Sequence, residues 1–89
     1  MTRFELAPDW VCEIVSPSTE KYDRGVKMGI YAREGVGHLW FVNPSTQMLE
    51  VFRRASDGWM LTGTHGDDAI VRAEPFEAIA IELAPLWRR

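Results

Sequence analysis

A strand–turn–helix–strand unit near the start of the chain constrains the fold more than any other feature. The apolar run from Trp10 to Val15 predicts a first strand, and its two mostly apolar faces are typical of a central strand. The turn residues Ser16-Pro17-Ser18-Thr19 end it. Either Ser18 or Thr19 is suited to be the N-cap of a helix over residues 20–34, which Gly35 would end in a left-handed conformation. A second apolar run, His38 to Val42, predicts another strand. This order favours one parallel crossover.

The remainder of the chain is typical of an antiparallel meander. Turn residues 43–47 separate the second strand from an alternating strand, and Asp57-Gly58 marks a hairpin turn. We expect Gly63 to Asp68 to be a loop. The predicted later elements are strands at 48–53, 59–62, 69–72 and 78–82 and a terminal helical turn at 84–87. The expected class is therefore α+β, with a mixed β-sheet and one main helix.

The apolar spacing of the helix predicts which side packs against the sheet. The residues on this predicted inner arc are Tyr22, Val26, Gly29, Ile30 and Arg33. Asp23, Lys27 and Tyr31 form a row along its edge. Gly25 and Gly29 weaken a helix by about 1 kcal/mol each relative to alanine, so we expect close approach of the helix to the sheet as compensation.

Length, composition and charge limit the class of protein. The 89 residues, 46% of them hydrophobic, suit one small domain spanning residues 1–89. The net charge of −3 argues against a large nucleic-acid footprint but allows a local basic groove. The single cysteine, Cys12, excludes an intrachain disulfide. Because there is neither a signal-peptide-like nor a membrane-spanning apolar run, we expect a cytoplasmic location and no membrane partner.

Glu13 is the residue that most suggests chemistry, because it lies within an otherwise apolar strand. A buried carboxylate costs several kcal/mol unless it is paired or binds a cation. One interpretation is an edge strand on which Glu13 faces water. The other makes Glu13 a ligand of Mg²⁺ or Mn²⁺, since hard cations prefer oxygen donors.

Lys27 allows two interpretations as well. It can stabilise the negative charge that develops on a phosphate, or orient the attacking water. It can instead be an ordinary solvated lysine that pairs with Asp23 four residues earlier on the helix. We predict that the charged groups of Glu13 and Lys27 lie close together, because a short turn joins the strand to the helix.

Three segments of the chain carry a family resemblance: CEIVSPST at 12–19, YDRGVKMGIYAREGV at 22–36 and HLWFVNP at 38–44. They resemble vEvlSPST, RDRGEKLELYARAGV and EYWLVDP of the Uma2 family, in the PD-(D/E)XK restriction-endonuclease-like superfamily. The likeness is close over the first half of the chain and weaker to its end. It implies a metal-dependent endonuclease-like domain acting on DNA phosphodiesters. It also implies a restriction-endonuclease-like fold that corresponds to the C-terminal half of the family domain.

By that resemblance Glu13 is the strand carboxylate that binds Mg²⁺ or Mn²⁺, Lys27 is the catalytic lysine and Asp23 positions Lys27. Ser16 falls on another recurrent polar position. By the same resemblance, the family's other metal-binding acid lies on an upstream strand, which we expect this chain to lack. Asp9 does not replace it, because residues four apart on a strand lie about 13 Å apart. The site is therefore expected to be incomplete.

The missing acid leaves a second class of function open. In this alternative the chain is a non-catalytic remnant that acts as an interaction or dimerisation module. A core that lacks its first strands would expose a sheet edge and apolar surface. We therefore expect a homodimer or larger homo-oligomer, and DNA is the other expected partner.

Overall fold

A computed structural model describes residues 9–87 of the chain. Its centre is a four-stranded mixed sheet in the order β1-β2-β3-β4. The first two strands are parallel and the other neighbours are antiparallel, which confirms the expected α+β class with a mixed sheet. The strands are β1 (Trp10–Ile14), β2 (His38–Asn43), β3 (Met48–Ala55) and β4 (Gly58–Gly66).

A smaller unit packs beside this sheet. Two short antiparallel strands, β5 (Ile70–Val71) and β6 (Ile81–Glu82), form a separate two-stranded sheet. A 3₁₀ turn follows at Ala84–Trp87, where the sequence predicted a helical turn. Within residues 9–87, no helix is both long enough and apolar enough to cross a membrane.

The main helix connects β1 to β2 and is not uniform. It consists of α1 (Glu20–Tyr22), a π-helical turn (Asp23–Lys27) and α2 (Met28–Arg33), which together we call the composite helix. In the π-helical turn the backbone N–H of Met28 donates to the carbonyl of Asp23. Such single π turns are rare and often occur at functional sites. The predicted helix is therefore confirmed, with an irregular turn that the sequence pattern did not indicate.

Gly35 ends the composite helix as predicted, with a φ of +84°. Its N–H donates to the carbonyl of Ala32 at 3.2 Å, and the N–H of Val36 donates to that of Tyr31 at 3.1 Å. These two bonds form a Schellman motif, which satisfies carbonyls that a helix end otherwise leaves unpaired. Since Val36 is buried, the motif fixes the last turn, and with it the backbone of Tyr31, against the sheet.

The sheet buries apolar side chains on both faces. On the helix face, the side that the composite helix covers, Val15, Leu39, Phe41 and Phe52 form one core. On the opposite face, a larger core contains Trp40, Val42, Leu49, Val51, Val71, Ala73 and Leu83. The indole N–H of Trp59 on β4 donates to the carbonyl of Met28 at 2.9 Å, which ties the helix to the hairpin.

The predicted inner arc of the helix is wrong. Tyr22 and Val26 are 54% and 47% exposed, and a side chain added at Gly25 or Gly29 would meet nothing within 4 Å. Asp23, Met28 and Tyr31 instead turn toward the sheet. Apolar spacing misassigned the face because polar residues that contact Glu13 occupy the inner side.

Three smaller expectations also need correction. Among the strands that the structure describes, β1 is an outer strand rather than a central one, and Ile14 is 71% exposed. Residues 63–66 belong to β4 rather than to a loop. Thr19 is at the N-cap position, but its side chain caps no helical N–H. Its hydroxyl accepts a hydrogen bond from the N–H of Ser16 at 3.1 Å, which stabilises the turn between strand and helix.

Candidate functional site

Glu13 points from β1 toward the composite helix and is mostly buried, with a side chain 17% exposed. Alternation along the strand gives it the same face as Val11 and Val15, both of which pack in the helix-face core. The expectation that Glu13 faces water at an edge is therefore wrong in one respect. Within residues 9–87 the strand is at the edge of the sheet, but the carboxylate lies beneath the helix.

Two helix residues contact the two oxygens of this carboxylate. Lys27 Nζ lies 3.2 Å from Glu13 Oε1, and the hydroxyl of Tyr31 donates a hydrogen bond to Glu13 Oε2. The predicted approach of Glu13 and Lys27 is confirmed. Because each oxygen accepts a hydrogen bond, these contacts offset much of the free-energy cost of burying the carboxylate.

Asp23 is the second carboxylate of the site and is 2% exposed. Its Oδ1 lies 3.4 Å from Lys27 Nζ, which places the ammonium in contact with both Asp23 and Glu13. Since Asp23 begins the π-helical turn and Lys27 ends it, this turn brings both residues to the sheet side. The lysine thus occupies a position between two carboxylates, as a metal cation would.

The contacts shift the pKa values of the two donors in the same direction. The hydrogen bond to Glu13 raises the pKa of Lys27 above its ordinary value, with Asp23 adding to the effect. Burial, followed by the hydrogen bond to Glu13, raises the pKa of Tyr31 well above that of a free phenol. Both groups are donors to the Glu13 carboxylate at neutral pH, and the raised pKa values extend their protonated forms to more alkaline pH.

A second ion cluster adjoins the first on the helix face. The Arg24 guanidinium pairs with Glu50 on β3 and lies 3.4 Å from Glu20. It also stacks over the ring of Phe41, with 5.2 Å between the guanidinium carbon and the ring centroid. Together with the first cluster, four carboxylates (Glu13, Glu20, Asp23, Glu50) face two cations (Arg24, Lys27). The helix-face site therefore has an excess of negative charge.

Ser16 and Asp9 do not join this cluster. The Ser16 hydroxyl exchanges hydrogen bonds with Ser18 and Thr19 in the turn that follows β1. Asp9 is exposed, and its backbone carbonyl accepts a hydrogen bond from the N–H of His38 at 2.9 Å. Asp9 thus contacts the backbone at the start of β2, which agrees with the expectation that it does not replace the second acid.

The described part of the chain offers few ligands for a divalent ion. Among residues 9–87 there is no group of three or more His, Cys, Asp or Glu residues arranged to hold a metal. Glu13 and Asp23 are oxygen donors of the right kind, but Lys27 lies between them. Mg²⁺ needs near-octahedral oxygen coordination and loses its water reluctantly. The described residues alone do not form a full metal site.

With this geometry in place, similarity to known proteins defines the class. The chain matches the family model Uma2, described as "Putative restriction endonuclease", over residues 2–85. Because the match covers most of the chain, this protein belongs to the Uma2 family.

Two individual proteins illustrate the likeness. The chain is 32% identical over 71 residues to the uncharacterised protein slr1290 of Synechocystis sp., covering 78% of this chain and 37% of that protein. A crystal structure of "a putative nuclease belonging to DUF820" from Anabaena variabilis matches with a TM-score of 0.68 and 23% identity. That match covers 94% of this chain and 46% of the other. The structural match shows a shared fold. This chain spans less than half the length of each of these two relatives.

Tyr31 is the site residue whose contact the sequence did not predict. Its i, i+4 spacing from Lys27 was visible in the sequence, but a tyrosine in a helix is more often a core or surface residue than a hydrogen-bond donor to a carboxylate. The contact of Tyr31 could have been predicted from the row Asp23, Lys27 and Tyr31. These three polar residues recur every four positions on a helix that follows a strand carrying a carboxylate. Glu50, the partner of Arg24, was not predicted because 26 residues separate the two in sequence.

Proposed function

We propose that this chain carries one part of a metal-dependent, nuclease-like site that acts on DNA phosphodiesters. Glu13 contributes an oxygen ligand to Mg²⁺ or Mn²⁺, Lys27 neutralises phosphate charge, and Asp23 positions Lys27. The observation that carries the proposal is the contact of Lys27 with two largely buried carboxylates, Glu13 on β1 and Asp23 on the same π-helical turn as the lysine. Membership of a family described as "Putative restriction endonuclease" supports the same chemistry.

The charge balance of the site supports a requirement for an added cation. Four carboxylates face two cations on the helix face, so a phosphodiester that approaches meets net repulsion. A bound divalent ion would supply Lewis acidity and neutralise developing charge. Tyr31 orients one oxygen of Glu13, and Lys27 presents an ammonium that can turn from the carboxylates toward a phosphate oxygen.

The proposal includes an incomplete site in this chain alone. Phosphodiester hydrolysis with metal ions uses several ligands to fix the ion and orient water, and residues 9–87 do not supply three. The remaining donors would come from outside the described residues or from another chain. We therefore expect weak, Glu13-dependent binding of Mn²⁺ and weak or absent cleavage.

Mn²⁺ binding and plasmid nicking test this proposal together. Electron paramagnetic resonance measures how much Mn²⁺ stays free in the presence of the wild-type chain or of Glu13→Gln. Plasmid nicking compares the wild type with Glu13→Gln and Lys27→Ala. Lys21→Ala is the matched control, because Lys21 is an exposed lysine on the same helix. Mn²⁺ binding that is unchanged by Glu13→Gln would remove the metal-ligand role. Robust nicking abolished by both site substitutions would instead establish a complete site.

A second candidate function, an interaction or dimerisation module, is favoured by the edge of the sheet. Within the described residues β1 pairs only with β2, and Ile14 is exposed on the face opposite Glu13. We propose that β1 edges pair between two copies, since an unpaired strand edge is a template for another strand. Light scattering should give twice the 10.2 kDa of one chain, and Ile14→Lys should weaken the dimer. A monomer at high concentration would refute it.

A further inference from the structure

The structure contains a pocket on the face of the sheet opposite Glu13. Its volume is about 340 Å³, and its floor is formed by Val51 of β3 and Gly63 of β4. In strand register Glu13 aligns with Phe41, Glu50 and Thr64, so Val51 and Gly63, one position along, point to the other side. The sheet therefore separates this pocket from the Glu13 site. Its volume lies at the lower end of small-molecule sites.

A β-bulge shapes the floor of this pocket. Val51 pairs with Gly63 while Phe52 pairs with Leu61, so Thr62 has no partner residue on β3. Bulges often occur beside functional sites, where they redirect side chains. The Thr62 hydroxyl donates to the carbonyl of Val51 at 3.2 Å, which stabilises the irregular pair.

Gly63 allows the His65 ring to lie over the strand. A Cβ at position 63 would come within 2.8 Å of His65 Nε2, so a larger residue there would force the imidazole to move. The Nε2 edge of the imidazole lies against the strand at Gly63, and the ring lines one wall of the pocket. A ring in this position offers a stacking surface for a planar ligand.

Glu74 provides the observation that most indicates a ligand. Its Oε1 is buried and has no hydrogen-bond partner within the described structure. Its Oε2 lies 3.5 Å from Arg53 Nη1, and its backbone carbonyl is fixed by the Trp40 indole N–H at 2.8 Å. A buried acceptor without a donor is costly. Oε1 is shielded in this conformation, whereas the side chain as a whole is 18% exposed. A ligand that draws the carboxylate toward the pocket and donates an N–H to Oε1 would remove this cost.

Two arginines line the same pocket. Arg53 contacts Glu74, and Arg72 donates through Nη1 to the backbone carbonyl of Glu77 at 3.2 Å, which leaves most of its guanidinium N–H groups exposed. Guanidinium groups bind phosphate well. Because carboxylates line the pocket as well as arginines, a simple anion fits poorly. The ligand should combine an anionic group with an N–H donor and a flat ring.

We propose that this pocket binds a nucleotide whose base bears an exocyclic amino group. The amino group donates to Glu74 Oε1, the base stacks on His65, and Arg72 and Arg53 bind the phosphate. A carboxylate that accepts from the amino group of cytosine is a known mode of base recognition. The nucleotide can be a free monophosphate or one unit of a single strand. The proposal does not depend on the Glu13 site, from which the sheet separates the pocket.

The test compares dCMP with dUMP, in which a carbonyl oxygen replaces the exocyclic amino group and an N3–H replaces the N3 acceptor. In calorimetric titrations of the full chain we expect dCMP to bind about tenfold more tightly than dUMP. Glu74→Gln should reduce this preference, because a neutral amide oxygen accepts a weaker hydrogen bond than a carboxylate, and Arg72→Ala should weaken the binding of both nucleotides. Arg33→Ala, an exposed arginine on the composite helix, is the matched control and should change neither. Glu13→Gln should also leave both affinities unchanged, which separates this proposal from the nuclease proposal.

Amide shift mapping by NMR gives a second measurement that does not need the variants to fold. On addition of dCMP, the shifts should concentrate at Gly63, His65 and Arg72 rather than at residues 13–31. A short oligodeoxycytidylate then distinguishes a strand from a free nucleotide as the better ligand. Absence of saturable dCMP binding, equal binding of dUMP, or unchanged binding in Glu74→Gln would each overturn the proposal.

Discussion

The two faces of the sheet are built on different principles. The helix face buries a small apolar core around Phe41 together with two carboxylates, a lysine and a tyrosine. The opposite face buries a larger apolar cluster and an edge-to-face aromatic group of Trp10, Trp40 and Phe76. Hydrophobic burial contributes more to stability than ion pairs that are partly exposed. The opposite face therefore contributes more to the stability of the fold, while the helix face has fewer apolar contacts and holds charged and polar groups.

The largest effect that tests this comparison is the loss of a core side chain on the opposite face. Leu49 is fully buried in the larger cluster, so Leu49→Ala should lower the free energy of unfolding by about 2–5 kcal/mol. Leu61→Ala is the matched control, because Leu61 is half exposed and should change stability by less than about 0.5 kcal/mol. Urea denaturation followed by tryptophan fluorescence measures both. Equal losses in the two variants would contradict the assignment of the core.

The sequence predicted local features of both faces better than their long-range arrangement. The strands, the turns and the Gly35 helix end follow from residue types within a few positions of each other, and all three were found. The outer position of β1 depends on which strands lie beside it, and no local pattern encodes this. The parallel pairing of β1 with β2 was predicted, because a strand, a helix and a strand in this order favour a crossover.

The candidate site was predicted in part, from one local turn and from the family resemblance. The approach of Glu13 to Lys27 was predicted from the short turn between strand and helix and agrees with the family resemblance. In the structure, Lys27 Nζ lies 3.2 Å from Glu13 Oε1. The helix face was misassigned because apolar periodicity assumes that the inner side is apolar, which fails where a buried carboxylate needs polar partners. The pocket on the opposite face was not predicted. Arg53, His65 and Glu74 meet only when the segment after β4 packs against the sheet.

An intermediate effect is expected from Asp23, the most buried charge on the helix face. Asp23→Asn keeps the shape of the side chain but removes its charge beside Lys27, and should cost about 1–3 kcal/mol. Asp57→Asn in the exposed hairpin turn is the control and should be close to neutral. Thermal unfolding of both variants makes the comparison. If Asp23→Asn is neutral or stabilising, the Lys27 contact contributes nothing to the fold, and Asp23 would be retained for the site alone.

The smallest effect concerns alkaline pH and isolates the hydrogen bonds to Glu13. The folded protein raises the pKa of Tyr31 above its ordinary value of 10.0 and that of Lys27 above 10.5. The folded state therefore binds these protons more tightly than the unfolded state. The resulting stabilisation is complete below the ordinary pKa values and is lost as pH rises through the raised ones. Stability should fall above about pH 10, and Tyr31→Phe should make this fall shallower while lowering stability at neutral pH.

Tyr22→Phe provides the control for this pH profile. Tyr22 is on the same helix and more than half exposed, and its ring lies 5.8 Å from Lys27 Nζ, a contact that phenylalanine retains. We expect Tyr22→Phe to follow the wild-type curve between neutral and alkaline pH. Identical curves for Tyr31→Phe and wild type would mean that the Tyr31 hydroxyl does not hold Glu13 in solution. Glu13 would then have a free oxygen for a metal ion, and the helix face would be more open than its contacts indicate.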